Sequence, residues 1–239
     1  MSDVLKIIQQ RRSMRAPFDP NRRVSKENLR YILEAARWAP TAHNMQNFEV
    51  LVVDGKEVLE KIGKIKSRVS EAFIRENYQQ LSFSEEELLQ KKVGILGTNF
   101  PHDWRDPAKL DKAVRESAPS PLNQRIMGSP VLLIVIYDSR KRAPASEGDV
   151  LGFISLGCVM ENMWLMAQSL GVSVHILSVF SGDAVEKEVK RILNVPEHMK
   201  IAFALCLGYA VSGQAEQLRV RRDVEMLTHH NEFGNKGFG

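Results

Sequence analysis

The chain has 239 residues, 44% hydrophobic and 26% charged, the proportions of an ordinary soluble protein long enough to enclose a core and a pocket. Its formal net charge of +4 is carried by the first 23 residues, where Lys6, Arg11, Arg12, Arg15, Arg22 and Arg23 face only Asp3 and Asp19; the other 216 balance at 27 against 27. A knot of charge, rather than a stripe, argues against a general nucleic-acid binder and suits a compact dianion such as one phosphate.

Cys158 and Cys206 stand in apolar surroundings without CxxC or Cys/His spacing, so buried reduced thiols and no metal are expected. The start MSDVLKIIQQ is too short and polar for a signal peptide, and no uninterrupted apolar run reaches the ~18 residues of a membrane span. A cytoplasmic protein without a membrane partner is the expectation. No Pro/Gly/Ser-rich linker divides the chain, so 1–239 reads as a single domain.

Val4, Leu5, Ile7 and Ile8 lie on one helical face, which stops at the basic knot. Ser25 can cap a second helix carrying Leu29, Ile32, Leu33 and Ala36, ended near Trp38 by Pro40. Phe48 to Val53 reads as a buried strand closed by Asp54-Gly55. Val58, Ile62, Ile65, Val69 and Phe73 then predict one long amphipathic helix. Over about 76–125 the pattern weakens, although Ser84 with Glu87 makes a capping box and Asp106-Pro107 a helix start. Phe83, Phe100, His102 and Trp104 mark this stretch either as a lid over a pocket or as a surface excursion packing its own aromatics.

Val131 to Tyr137 is a continuous apolar strand of the kind covered on both faces. A helix over 149–170 is apolar around most of its circumference and is expected to be central and buried. A strand at 172–178, a helix capped by Asp183 with Glu186 three residues on, and a strand at 201–208 complete the body. The fold class is therefore α+β, an α/β sandwich with a mixed central sheet covered by helices. The polar tail 209–239 can bury too little alone, so it is either disordered or wraps a partner subunit.

No Walker loop, GxSxG elbow, HExxH or strand-linked GxGxxG is present, and no catalytic acid, base or nucleophile is assigned. What remains is basic clusters at 11–15 and 219–222 and the polar loop Pro40 to Asn47. Arginine forks with a serine hydroxyl suit a phosphate; the alternative is surface ion pairs. Asn44 and Gln46 offer amides suited to the edge of a heterocycle, or to holding their own loop.

Taken in order, RRSMR, then EAARWAPTAHNMQNFEVLVV, GCVMENMWLMAQSLGVSVHIL and VPEHMKIAFALCLGY, the chain resembles the nitroreductase family over most of 3–222. The family's patterns are an RRSxR start, an EAAxxAPSxxNxQPW-like segment and a VPE…LGY strand; Asn47 replaces its common Pro and His43 its frequent Gly. The resemblance implies a homodimer with FMN at the interface and NADH or NADPH as electron donor. It implies that Arg11 and Ser13 hold the phosphate, with Arg12 contributing, and that Arg15 reaches the ribityl chain and pyrimidine and stabilises reduced flavin. Arg219 and Arg221 would join the grip, Thr41, Ala42, Asn44 and Gln46 would come from the other subunit, and backbone groups at Ser178, Val179 and Phe180 would approach the reactive edge. The implied reaction is ping-pong hydride transfer to a small acceptor such as a nitroaromatic or quinone. A reductive dehalogenase or flavin-modifying enzyme is the alternative within the family, and a non-catalytic polyanion-binding module the alternative outside it.

Overall fold

The computed structural model describes residues 2–76, 82–97, 101–104, 106–117, 119–126, 128–211 and 218–237, without the side chain of His102. Phe100 and His102, two of the expected lid aromatics, therefore lie outside the described side chains. In chain order the first elements are α1 (Asp3–Gln10), α2 (Lys26–Arg37), β1 (Phe48–Val53), α3 (Lys56–Gly63), β2 (Lys66–Ser67), α4 (Glu71–Glu76), β3 (Ser82–Phe83), α5 (Glu85–Lys91) and β4 (Ile95–Leu96). There follow α6 (Pro107–Glu116), β5 (Ser120–Pro121), α7 (Asn123–Ile126), β6 (Val131–Asp138), α8 (Val150–Ser169), β7 (Ser173–Leu177), α9 (Asp183–Leu193), β8 (Met199–Gly208) and α10 (Val224–Leu227). They group into two compact units, Met1–Ser67 with Ser120–Gln214, and Arg68–Pro119 with Ala215–Gly239.

The first unit is built on a four-stranded sheet of order β1-β6-β8-β7. Every ladder in it is antiparallel, and a parallel bridge from Ser13 to Val174 at the β7 edge gives the sheet its mixed character. Alternation along the strands sorts side chains to two faces. Val131, Leu133, Val135, Phe203, Leu205 and Leu207 join the core under α2 and α8. Leu132, Ile134, Ile136, Ile201, Ala204 and Cys206 join a second core that holds Phe18 and residues of α3, α7 and α9. A bulge between Val135 and Ile136 resets the register opposite Ile201 and Phe203, so both stretches of β8 keep their apolar side chains inward. The strand read as covered on both faces is so covered. Phe18 reaches the sheet end because Gly208 leaves room: a Cβ there would lie 2.6 Å from the ring.

The second unit is made differently. Its strands β3 and β4 have two residues each, and α4, α5 and α6 bury Ile74, Leu88 and Leu110. Ser84 and Glu87 form the expected reciprocal capping box, and Asp106 caps α6 with Pro107 in its first turn. Residues 218–237 belong to this unit, where Lys92 pairs with Asp223 and His229 bridges Lys236. The described part of the tail from 218 on is thus folded with the insertion rather than disordered.

Five readings are corrected. Strand β1, read as buried, is the edge of the sheet, with Val53 buried and Val52 42% exposed. The long helix through Val58 and Phe73 is two helices: α3 ends at Gly63, Lys66 and Ser67 pair with β5, and a new helix begins at Glu71. The apolar period continues across the break because Ile65 packs on the same core that receives Ile62. At α9 the cap is Gly182, and Asp183 is the first helical residue. Glu186 is buried and accepts a hydrogen bond from the Ile201 amide at 3.0 Å, so its carboxylate serves β8 rather than a capping box. Helix α8 is buried on one side only: Leu156, Val159, Met163 and Ala167 are in the core, whereas Val150, Leu151, Phe153 and Ile154 are 41–56% exposed. With the turn before it, it is long and apolar enough to cross a membrane, yet it is packed by its inner side on the sheet. Cys206 is buried but Cys158 only half-buried; both are free thiols.

Candidate functional site

The basic knot is a structured ledge. The chain leaves α1 at Arg11, Ser13 bridges Val174, and the Met14 amide donates to the Val174 carbonyl at 2.8 Å, so 11–15 runs beside the edge strand β7. Trp164 of α8 donates its indole N–H to the Arg12 carbonyl at 3.3 Å. The Arg11 guanidinium stacks over the Trp164 ring at 4.3 Å and lies 3.6 Å from Glu161, a fixed orientation for a cation 18% exposed at its side chain. Arg12 and Arg15 are exposed. The surface ion pair offered as the alternative therefore exists at Arg11, alongside a stacking contact that aims the fork.

The turn that follows β7, Ser178–Ser181, continues from the strand that the ledge joins. The Ser178 hydroxyl side is exposed and Val179 half-buried, whereas the Phe180 ring is wholly buried in the second core. Phe180 can thus offer a site only its backbone. The Ser178 carbonyl accepts from the Ser181 hydroxyl at 2.7 Å and the Val179 carbonyl from the Gly182 amide at 3.2 Å, which fixes this turn.

The loop Pro40 to Asn47 is strained and pinned. His43, Asn44 and Gln46 all have positive φ, at 50°, 54° and 44°. Such conformations are costly for residues with a Cβ and persist only where surroundings impose them. Here the Thr41 hydroxyl accepts from the Gln46 amide at 3.2 Å, and the Gln46 side chain donates to Asn44 Oδ1 at 2.9 Å. Ser155 of α8 accepts from the Ala42 amide at 2.9 Å and donates to the Leu151 carbonyl, which anchors the loop to the helix. The Asn44 and Gln46 side chains are both exposed. His43 adopts the left-handed backbone that glycine would take most easily, so it carries strain there that glycine would not.

Arg219 and Arg221 are exposed in the second unit; the Arg221 guanidinium donates to the Val220 carbonyl at 2.7 Å. Among the described residues no group of three or more His, Cys, Asp or Glu side chains is placed to hold a metal.

Residues that sequence reasoning missed complete this region. His175, on β7 beside Val174, has a buried Nδ1 with no hydrogen-bond partner. Burial first, and then the charges of Arg15 and Arg125, push its pKa down to about 4. Arg125 of α7 is half-buried, donates from Nε to the Ser67 hydroxyl at 3.2 Å, and has its pKa lowered by burial. Neither residue carried a spacing signal, because the charge influence of Arg125 on His175 joins positions fifty residues apart in sequence. A pocket of about 330 Å³ opens at the other end of that sheet, lined by aromatic and apolar groups including Tyr137, Phe153, Met160 and Phe203, with Ser181 at its wall. Burial raises the Tyr137 phenol's pKa, so it stays a neutral hydroxyl there.

Comparison with known proteins fits this geometry. The model of the nitroreductase family matches residues 8–209. A protein named as an NAD(P)H nitroreductase, YdgI of Bacillus subtilis (strain 168), is 39% identical over 66 residues, which cover 28% of this chain and 31% of that protein, so the match spans about a third of its length. Among solved structures, a nitroreductase with bound FMN from Bacteroides fragilis NCTC 9343 aligns with TM-score 0.59 and 21% identity, covering 93% of this chain and 96% of the other. One with bound FMN from Desulfitobacterium hafniense DCB-2 gives 0.58 and 20%, covering 97% and 100%. A nitroreductase family protein from Clostridium difficile 630 gives 0.61 and 18%, covering 98% and 100%. With the family model spanning the ledge, the strained loop and all four strands of the main sheet, the chain belongs to the nitroreductase family.

Proposed function

We propose that this chain is an FMN-dependent oxidoreductase that works as a homodimer on a small-molecule acceptor. The observation that carries the reading is the ledge at β7, where a stacked Arg11 and the backbone at Ser13 and Met14 are held by the same strand that leads into the turn Ser178–Ser181. Membership of the family and the FMN bound in two structures of the same fold support it.

The residues present fit the cofactor. The oriented Arg11 guanidinium suits a phosphate dianion, and the buried His175 Nδ1 on the adjoining strand is a polar atom without a partner. In this reading Arg11, Arg12 and Ser13 hold the phosphate, Arg219 and Arg221 are further phosphate-binding residues, and Arg15 stabilises negative charge on the pyrimidine end. Ser178, Val179 and Phe180 offer backbone groups toward the reactive edge. Thr41, Ala42, Asn44 and Gln46 serve the site of the other protomer, their strained loop being fixed in advance by Ser155. When bound, FMN supplies the redox chemistry, taking hydride from NADH or NADPH and passing electrons to a nitroaromatic, quinone or similar acceptor in ping-pong order. The protein's work is to bind, orient and tune it.

A dimer is favoured by surface that one chain leaves bare. Val150, Leu151, Phe153 and Ile154 of α8 and Val4, Leu5 and Ile8 of α1 are exposed large apolar side chains. The tail 209–239 is proposed to add to that embrace, the 76–125 insertion to cover the flavin, and the whole to act as a single cytoplasmic domain.

The test is a visible spectrum and a size measurement of purified protein reconstituted with FMN. The expected result is a flavin spectrum, a dimer, and bleaching by NADH or NADPH that a quinone or nitroaromatic reverses. Colourless protein after FMN addition would remove the reading. Arg11→Ala with Arg15→Ala should weaken FMN binding at least about tenfold, the loss of one to two charge-assisted bonds, with the dimer preserved.

A further inference from the structure

Among the described residues, one buried side-chain nitrogen or oxygen lacks any hydrogen-bond partner, and it is His175 Nδ1. Leaving such an atom unmade destabilises a fold, and in a native protein it calls for an occupant, a water or a ligand. Its position supplies a candidate. His175 is the next residue after Val174, which bridges Ser13 and receives the Met14 amide, so the imidazole stands on the strand to which the basic ledge is fastened. It pairs with Cys206 on β8, and that pair belongs to the sheet face opposite α2 and α8.

The charged groups that act on it come from two different elements. Arg15 extends from the ledge after α1, and Arg125 comes from α7, fixed by its bond to the Ser67 hydroxyl. Burial first, and then the charges of Arg15 and Arg125, keep the imidazole neutral, with one ring nitrogen able to accept and the other able to donate. A neutral imidazole forms no ion pair. It does complete a site for a ligand that carries both negative or carbonyl oxygens, for the arginines, and hydroxyl or ring polar groups, for the imidazole. A flavin mononucleotide has this mixture.

We propose that His175 is a binding residue for the flavin, its Nδ1 making a hydrogen bond to a polar group of FMN held at the ledge 11–15. This rests on the FMN reading above. The unmade bond in the flavin-free protein is then part of the site, a local stability cost returned when the ligand enters.

The experiment titrates FMN into wild type, His175→Leu, His175→Asn and His175→Gln, following quenching of flavin fluorescence, and measures the melting temperature of each flavin-free protein. His175→Leu should weaken FMN about fivefold or more, the loss of one hydrogen bond, while the flavin-free protein melts at the same temperature or higher. Asn keeps a polar atom close to the place of Nδ1 and should retain most of the affinity; Gln projects its amide toward the place of Nε2 and should not. Leu binding FMN as tightly as wild type would overturn the proposal and leave the FMN reading intact. Should Leu fail to fold, the Asn and Gln pair decides, equal affinities for the two overturning it. A wild type that does not bind FMN removes both readings together.

Discussion

The two compact units are held together by different physics. In Met1–Ser67 with Ser120–Gln214, a four-stranded sheet is enclosed between two apolar cores, and Leu132, Leu133, Ile134, Leu205 and Leu207 are completely buried. In Arg68–Pro119 with Ala215–Gly239, strands are two residues long and much of the cross-linking is ionic: Arg75 meets Glu71 at 2.7 Å and Asp111 at 2.8 Å, Lys91 meets Glu87 at 3.1 Å, and Lys92 meets Asp223. Their pairs are largely exposed, where each contributes little because water already solvates both partners. The contrast teaches where precision is needed. The ledge 11–15, the anchored loop 41–46 and the turn 178–181 all rest on the apolar unit, whereas of the expected site residues only Arg219 and Arg221 stand on the ionic one.

Substitutions can break or sharpen that contrast. Leu205→Ala, in the middle of β8, should cost about 2–5 kcal/mol in urea unfolding, since the closely packed site cannot collapse around the lost methyls. A cost below that of an exposed leucine would contradict the assignment of this core. Glu186→Ala should cost about 1–3 kcal/mol by leaving the Ile201 amide unpartnered inside the same unit, and amide exchange at Ile201 should speed up measurably.

A pH titration separates the units without mutation. The His175 pKa is depressed to about 4 from 6.5, so the unfolded chain takes up a proton first as pH falls. Stability is therefore full above about 6.5, declines between 6.5 and 4, and levels below 4, and His175→Leu should flatten that part of the curve. A melting temperature that rises as the pH falls from 6.5 to 4 in wild type, relative to the variant, would refute the sign. The smallest effect is expected at the ionic unit. Asp223→Ala should change global stability by no more than about 1 kcal/mol, yet raise proteolytic cleavage within 218–237, and salt should mimic it by screening the Lys92 pair. Unchanged cleavage would mean that the tail is held by something other than that ion pair.

Local chemistry was legible wherever neighbours in sequence decide the outcome. Ser25 capping α2, Ser84 with Glu87, Asp106-Pro107 and the apolar run at β6 needed only residues within one turn or one strand. Reading failed where partners are distant. The periodic positions Val58 to Phe73 continue through a break because pairing of Lys66 and Ser67 with β5, more than fifty residues later, outcompetes helix continuation. Glu186 resembled a capping residue but was taken by Ile201. At α8, an apolar circumference implied complete burial, but one chain covers only half of it.

The same division applies to the site. From the chain alone came the local charge excess at Arg11 to Arg15, the polar non-helical loop at 41–46, and their order relative to the last strands, because charge, side-chain chemistry and chain order are properties of sequence. Tertiary structure alone decided that Arg11 is aimed by Trp164 and Glu161, that Phe180 offers backbone and not its ring, and that His175 stands near Arg15 and Arg125. Those relations join α8 to the ledge, and β7 to α7, across gaps of tens of residues or more. They exist only after two cores have closed on the sheet, since hydrophobic burial, not local preference, fixes which distant polar groups become neighbours.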